Sequence, residues 1–134
     1  MKNMIKYFVA IVVTLTFAFT SYAAEPTSAA KKSTNAFEQN LLVGLGSDNE
    51  GLQTSAAYYL GEIKSNKAVL PLMKILHSSQ SEDARIMAAL SLYKIGDERG
   101  LFAVKENGRF DESEKVRRMC ENFTRTHQIE KHKK

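Results

Sequence analysis

Three glutamates recur at a fixed interval of 32 residues: Glu50, Glu82 and Glu114. Carboxylates repeated in register have the look of a chemical motif, since such groups supply general acids, bases and metal ligands. Their surroundings give a simpler account. Each stands three residues after a capping type of residue, in Ser47-x-x-Glu50, Ser79-x-x-Glu82 and Asp111-x-x-Glu114, and each precedes apolar residues at helical spacing. That is the pattern of a capping box, in which the first side chain accepts from an orphan amide and the glutamate reaches back to another. A cap contributes roughly 0.5–2 kcal/mol, which explains the recurrence without any reaction. Asp48, Asp83 and Glu112 favour helix amino termini for the related dipole reason.

The other candidates for chemistry are sparse. His77, His127 and His132 lack ligand spacing with each other or with an acid pair, so no metal is expected. Cys120 is the only cysteine and cannot form an internal disulfide. It lies in a column of alanines and reads as a small buried hydrophobe. The chain contains no P-loop, no GxGxxG and no nucleophile elbow. No cofactor and no catalytic residue are expected.

The elements that position these residues read as helices throughout. A first helix is expected from Asn35 or Ala36, capped by Asn35-x-x-Glu38 and ended by Gly46, with Phe37, Leu41 and Leu45 on one face. A second follows Ser47 and carries Leu52, Ala56, Tyr59, Leu60 and Ile63. The third covers residues 67–77, with Pro71 in or just past its first turn. Residues 79–97 hold the fourth, apolar most of the way round and so expected between other helices. A weaker fifth is expected over 98–107, bracketed by Gly100 and Gly108. The sixth starts after Asp111 and runs to about residue 127, with Val116, Met119, Cys120 and Phe123 on one face and a polar opposite edge, as a terminal helix of a stack needs.

Residues 1–23 have the makings of a secretory signal. Lys2 and Lys6 precede a charge-free run over 7–20, short of the roughly 20 residues that span a bilayer, and small residues stand before a cleavage point after Ala23. Residues 24–34 read as a flexible linker, 35–128 as the folded domain and 129–134 as a basic, frayed tail. Cleavage would leave 17 basic and 15 acidic side chains, a net charge of +2. That is too small to imply nucleic acid, and no stable membrane span remains. The mature chain is expected in a bacterial periplasm or outside the cell.

Superposition at an offset of 32 aligns Leu52 with Ala84 and Val116, Ala56 with Ala88 and Cys120, and Tyr59 with Ser91 and Phe123. Gln53, Arg85 and Arg117 form a polar column beside the first. In the second helix of each pair Val69 matches Leu101, Leu70 matches Phe102 and Leu72 matches Val104. A fixed period of this kind means stacked supersecondary units. The run Ala84-Arg85-x-x-Ala88-Ala89-x-Ser91-Leu92-x-x-Ile95-Gly96-Asp97 resembles the short HEAT repeat, also called the PBS-lyase HEAT-like repeat. The first copy keeps Ala56-Ala57, Leu60-Gly61 and Ile63 but has Gln53 for the arginine; the third keeps Val116-Arg117 and little else. The resemblance implies an all-α fold, a short α-α superhelix of about six helices.

It also implies a non-enzymatic protein-interaction module with a protein partner. The alternative is an accessory or chaperone-like subunit of a specific enzyme, as lyase-type relatives suggest. Candidate partner-binding residues are those the repeat does not require: Tyr58, Ile86, Leu90 and Tyr93, which either form an apolar patch or pack against neighbouring helices. Lys67, Lys74, Arg99 and Lys105 add a mildly basic stripe on the helices expected to line the groove.

Overall fold

The computed structural model describes residues 28–133, with side chains from residue 34 onward. The expected signal segment lies outside the described residues. Within them there are six α-helices: α1 (Ser28–Leu45), α2 (Glu50–Glu62), α3 (Val69–Ser78), α4 (Glu82–Ile95), α5 (Glu98–Phe110) and α6 (Glu114–His132), with a single 3-10 turn at Asn66–Ala68 before α3. No strand occurs among the described residues. Residues from 35 onward form one compact unit, which holds the repeat architecture.

In that unit the first helices of successive pairs pack side by side, α2 on α4 and α4 on α6, while α3 and α5 stack on the same flank. The core between the two layers is built from Leu60, Val69, Leu72, Leu76, Leu92, Val104 and Val116, each at most 1% exposed. The alanine column behaves as a spacer. Ala56, Ala88 and Cys120 are all buried, and short side chains there let helix axes approach closely. At Gly61 the approach is closest, since a Cβ there would sit 2.8 Å from the Ser91 Cα. The Ser91 hydroxyl donates to the Ala57 carbonyl oxygen at 2.7 Å across the same junction.

The caps differ from the expectation, and in the same way three times. The residues that cap α2, α4 and α6 are Asn49, Ser81 and Ser113, whose side chains accept from the amides of Leu52, Ala84 and Val116. Ser47, Ser79 and Asp111 stand two residues earlier and accept from the amides of those capping residues, shaping the turn before the helix. Glu50, Glu82 and Glu114 are therefore the first helical residues and not the third. Their contribution is a negative charge against the helix dipole; Glu50 also accepts from the Ser81 hydroxyl of the next repeat.

The Gln53, Arg85 and Arg117 column completes the device. Each side chain donates back to carbonyls of the turn before its own helix: Gln53 to Leu45 (3.1 Å), Arg85 to Ser79 (2.7 Å) and Arg117 to Asp111 (2.6 Å). These carbonyls, at the end of α1 for Gln53 and in irregular backbone for the two arginines, lack a helical partner and need one wherever water is excluded. Arg85 does more. Its Nε and Nη2 each donate at 3.0 Å to the two oxygens of Asp111 in the next repeat, and both side chains are about 95% buried (5% and 4% exposed).

Other boundaries also moved. Helix α1 begins at Ser28, seven residues before Asn35, so the linker expected over 24–34 is helical from 28 onward. Asn35 and Glu38 then lie inside a helix and form no cap. Glu38 instead receives hydrogen bonds from Lys67 and, second in effect, from Ser65, which hold its carboxyl below the usual range. Helix α5 runs three residues past the expected end because Gly108 is a packing position and not a stop. A Cβ there would meet the Glu121 amide nitrogen at 3.2 Å. Helix α6 continues to His132, so residues 129–132 of the expected frayed tail are helical. Gly96 does end α4 as expected, in the left-handed conformation at φ 78°.

Candidate functional site

Tyr93 ends up packed against a neighbouring helix. Its ring stacks on Phe123 (centroids 5.8 Å apart), meets the edge of the His127 ring at 6.4 Å, and its hydroxyl donates to Glu130 at 3.0 Å. Burial, followed by the neighbouring Glu130 carboxylate, pushes its phenol above the ordinary value. The consequence is a fixed aromatic wall at the carboxyl end of α4. Facing it, α5 supplies Leu101, Phe102 and Lys105, and α6 supplies Phe123, His127, Gln128 and Lys131. Together they line an open cleft of about 590 Å³.

The cleft has an apolar floor and a charged rim. Phe102 stands over it 65% exposed, a large aromatic ring left in water. Val69, Leu72 and Leu76 of α3 and Gly100, Val104 and Gly108 of α5 are buried, so Leu70, one residue from Val69, and Phe102, midway between Gly100 and Val104, both point away from the core. These two positions are equivalent in the repeat, and Leu70 is 62% exposed. Rim charges are mixed, with Glu98 and Glu130 beside Lys105 and Lys131.

Among the eight candidate residues, Tyr93 and Lys105 meet in this cleft. Ile86 and Leu90 share a face of α4 with Tyr93 at i, i+4, i+7 spacing; both are half-buried, and Ile86 packs on the core. Tyr58 lies on α2, 39% exposed, with the Lys94 ammonium 4.6 Å from its ring centre and Tyr59 edge-on at 5.5 Å. The four basic residues are dispersed. Lys67 is tied to Glu38 at 2.6 Å and Arg99 forks onto Asp97. Lys74 borders a separate depression of about 380 Å³ with Leu42, Leu45 and Pro71.

Little in this arrangement is reactive. Cys120 is fully buried, and burial, with the Asp111 charge adding to it, pushes its thiol up to about 12. A thiol held protonated at neutral pH is a poor nucleophile and metal ligand. Among the described residues no group of three His, Cys, Asp or Glu side chains is placed to hold a metal ion. No helix among them is long and apolar enough to cross a membrane.

Paired helices stacked at a 32-residue period, with side chains of one repeat hydrogen-bonded to the next, define a short α-solenoid. A family model for HEAT repeats matches residues 38–122. The chain belongs to the HEAT repeat family, whose members generally mediate protein–protein interaction. No curated protein sequence and no solved structure matched the chain.

Proposed function

We propose that this protein is a non-enzymatic interaction module of the bacterial envelope or the secreted fraction, and that it holds its protein partner in the α5–α6 cleft. An apolar side chain of the partner enters the cleft and covers Phe102, while Lys105 and Lys131 meet acceptors at its edge. The observation that carries this reading is Phe102, exposed over a concave apolar floor whose back wall, Tyr93, is immobilised by Phe123 and Glu130. Fully desolvated aromatic rings at the centre of a contact account for much of the affinity of protein interfaces. Support for an envelope location comes from the sequence alone, from the Lys2–Lys6 start, the charge-free run and the small residues before Ala24.

The test is a pair of matched captures from envelope extract and culture medium. The wild-type chain is expected to retain a partner at defined stoichiometry. Phe102→Ser, at an exposed position, should leave the melting temperature within about 4 °C, because exposed substitutions cost about 0.5 kcal/mol or less. It should release that partner. Equal capture by wild type and Phe102→Ser would remove the cleft from the binding surface.

A further inference from the structure

The outer flank of α2 carries three exposed apolar residues, Leu52 (52% exposed), Tyr59 (51%) and Ile63 (41%). Their spacing of seven and then four residues places them in one stripe. The repeat gives this stripe a meaning. At the same columns of α4 stand Ala84, Ser91 and Ile95, and of these Ser91 contacts α2, where it hydrogen-bonds the Ala57 carbonyl and abuts Gly61. Leu52, Tyr59 and Ile63 are thus the side of a first helix that elsewhere in the stack lies against another first helix. On α2 it faces outward, apart from the edge of Leu52 that lies beside Gly44 of α1.

A second copy of this chain could meet that stripe in two ways. Head-to-tail stacking would bring it against the opposite end of the solenoid, where the exposed positions of α6 include Glu114, Lys115, Arg118, Glu121, Asn122 and Arg125. An apolar stripe gains nothing against that charged surface, and its burial would strip water from those charges. Stripe against stripe about a two-fold axis is self-complementary. With the two α2 helices antiparallel, Leu52 lies near Ile63 of the second copy and bulky Tyr59 lies near small Ser55 of the second copy. The charges agree as well. Asp48, exposed before the amino end of α2, falls near Lys64 of the second copy, exposed just past the carboxyl end. Antiparallel helices also set opposite dipole ends beside one another.

We infer that α2 is the interface of a two-fold homodimer formed through Leu52, Tyr59 and Ile63, flanked by two Asp48–Lys64 contacts. The interface is isologous and therefore closes at two copies. It leaves the α5–α6 cleft of each copy free, so the dimer presents two clefts to a partner.

The experiment is sedimentation across a wide concentration range, on the chain in the form the cell accumulates. Wild type should move from monomer to dimer with rising concentration and stop there. Tyr59→Arg should weaken association by roughly tenfold or more, the size of a central contact, with an unchanged melting temperature in dilute solution. Asp48→Lys should weaken it, and the exchange Asp48→Lys with Lys64→Asp should restore it, a rescue that a purely structural effect would not produce. A wild type that stays monomeric throughout overturns the proposal. So does a dimer indifferent to Tyr59→Arg, or a stripe occupied by a different protein in the accumulated form. Phe102→Ser should leave the dimer intact and Tyr59→Arg should leave cleft capture intact, so either reading can fail alone.

Discussion

Removing the Asp111 carboxylate should destabilise this protein more than any other single polar truncation in the repeat. Asp111 receives Arg85 Nε and Nη2 at 3.0 Å each, Asn107 Nδ2 at 3.1 Å and the Ser113 amide at 2.9 Å. In Asp111→Ala the guanidinium keeps its Nη1 contacts with the carbonyls of Ser79 (2.7 Å) and Gln80 (3.4 Å), yet loses its counter-charge in a position 5% exposed. Breaking a buried pair from one side costs about 3–5 kcal/mol. Glu112 is 3.7 Å from Nη2 and largely exposed, free to swing inward, so the lower end applies, ~3 kcal/mol. For a domain near 100 residues that is a fall in Tm of about 12–24 °C. Arg117→Ala supplies the control. Arg117 makes the same backbone contacts but has no such carboxylate partner, and its loss should cost about 1 kcal/mol. Replacing both Arg85 and Asp111 with apolar residues of similar volume should recover much of the loss, since no charge is then stranded. Thermal and urea melts followed by circular dichroism measure all four proteins. If Asp111→Ala melts no lower than Arg117→Ala, or the apolar pair melts no higher than Asp111→Ala, the grip of one repeat on the next is not electrostatic.

Three further outcomes follow from packing and titration. Gly61→Ala would place a methyl 2.8 Å from the Ser91 Cα, which is backbone and cannot swing aside. It should cost about 1–3 kcal/mol despite the better helix propensity of alanine, and a melt equal to wild type would show that α2 and α4 can separate freely. Ala88→Phe, at a position with no exposed surface, should cost at least as much in the same assay. Cys120 should resist iodoacetamide in the native protein and react promptly in denaturant. An unfolded thiol ionises near about 8.5, and the folded one holds its proton to about 12. Over that interval the unfolded chain binds fewer protons, so stability should fall as pH rises and be insensitive to this group below it. Urea melts of wild type and Cys120→Ala at alkaline pH test this, since the variant should lack that part of the slope.

The stacking plan was legible because it is written in side-chain size at fixed spacing. Ala56, Ala88 and Cys120 sit where helices must come close, and Leu60 and Leu92 sit where the layers meet; both columns are visible at an offset of 32. The caps were misplaced by two residues for a physical reason. Serine, aspartate and asparagine satisfy amides both in a turn and at a helix start, and here the two uses stand side by side in Ser47–Asn49, Ser79–Ser81 and Asp111–Ser113. Composition does not say which oxygen takes which amide. Gly108 misled in the same manner, because a glycine that ends a helix and a glycine that admits a neighbour are the same letter.

The candidate site was less legible, and Leu70 with Phe102 shows why. Their alignment was plain in the sequence, and an apolar pair in register reads as core. Angle decides otherwise. Val69, Leu72 and Leu76 fill the buried stripe of α3, and position 70 lies about 100° from Val69 around the helix. Phe102, two residues from both Gly100 and Val104, lies about 160° from each and so opposite the buried stripe of α5. For Tyr93 the sequence leaves an outer patch and packing against a neighbouring helix both open, and Phe123 and Glu130 on α6 decide for packing. A solenoid repeats its core and its surface with one period, so periodicity alone cannot separate a conserved packing contact from a repeated exposed ring. What separates them is the helical angle to a residue already known to be buried. By that criterion Leu52, Tyr59 and Ile63 differ from Leu70 and Phe102 in kind. The first three occupy columns that contact a neighbouring first helix in the following repeat, whereas Leu70 and Phe102 are exposed in both copies. Repeat-to-repeat packing therefore gives the α2 stripe a counterpart inside the stack, and gives the α5 aromatic none.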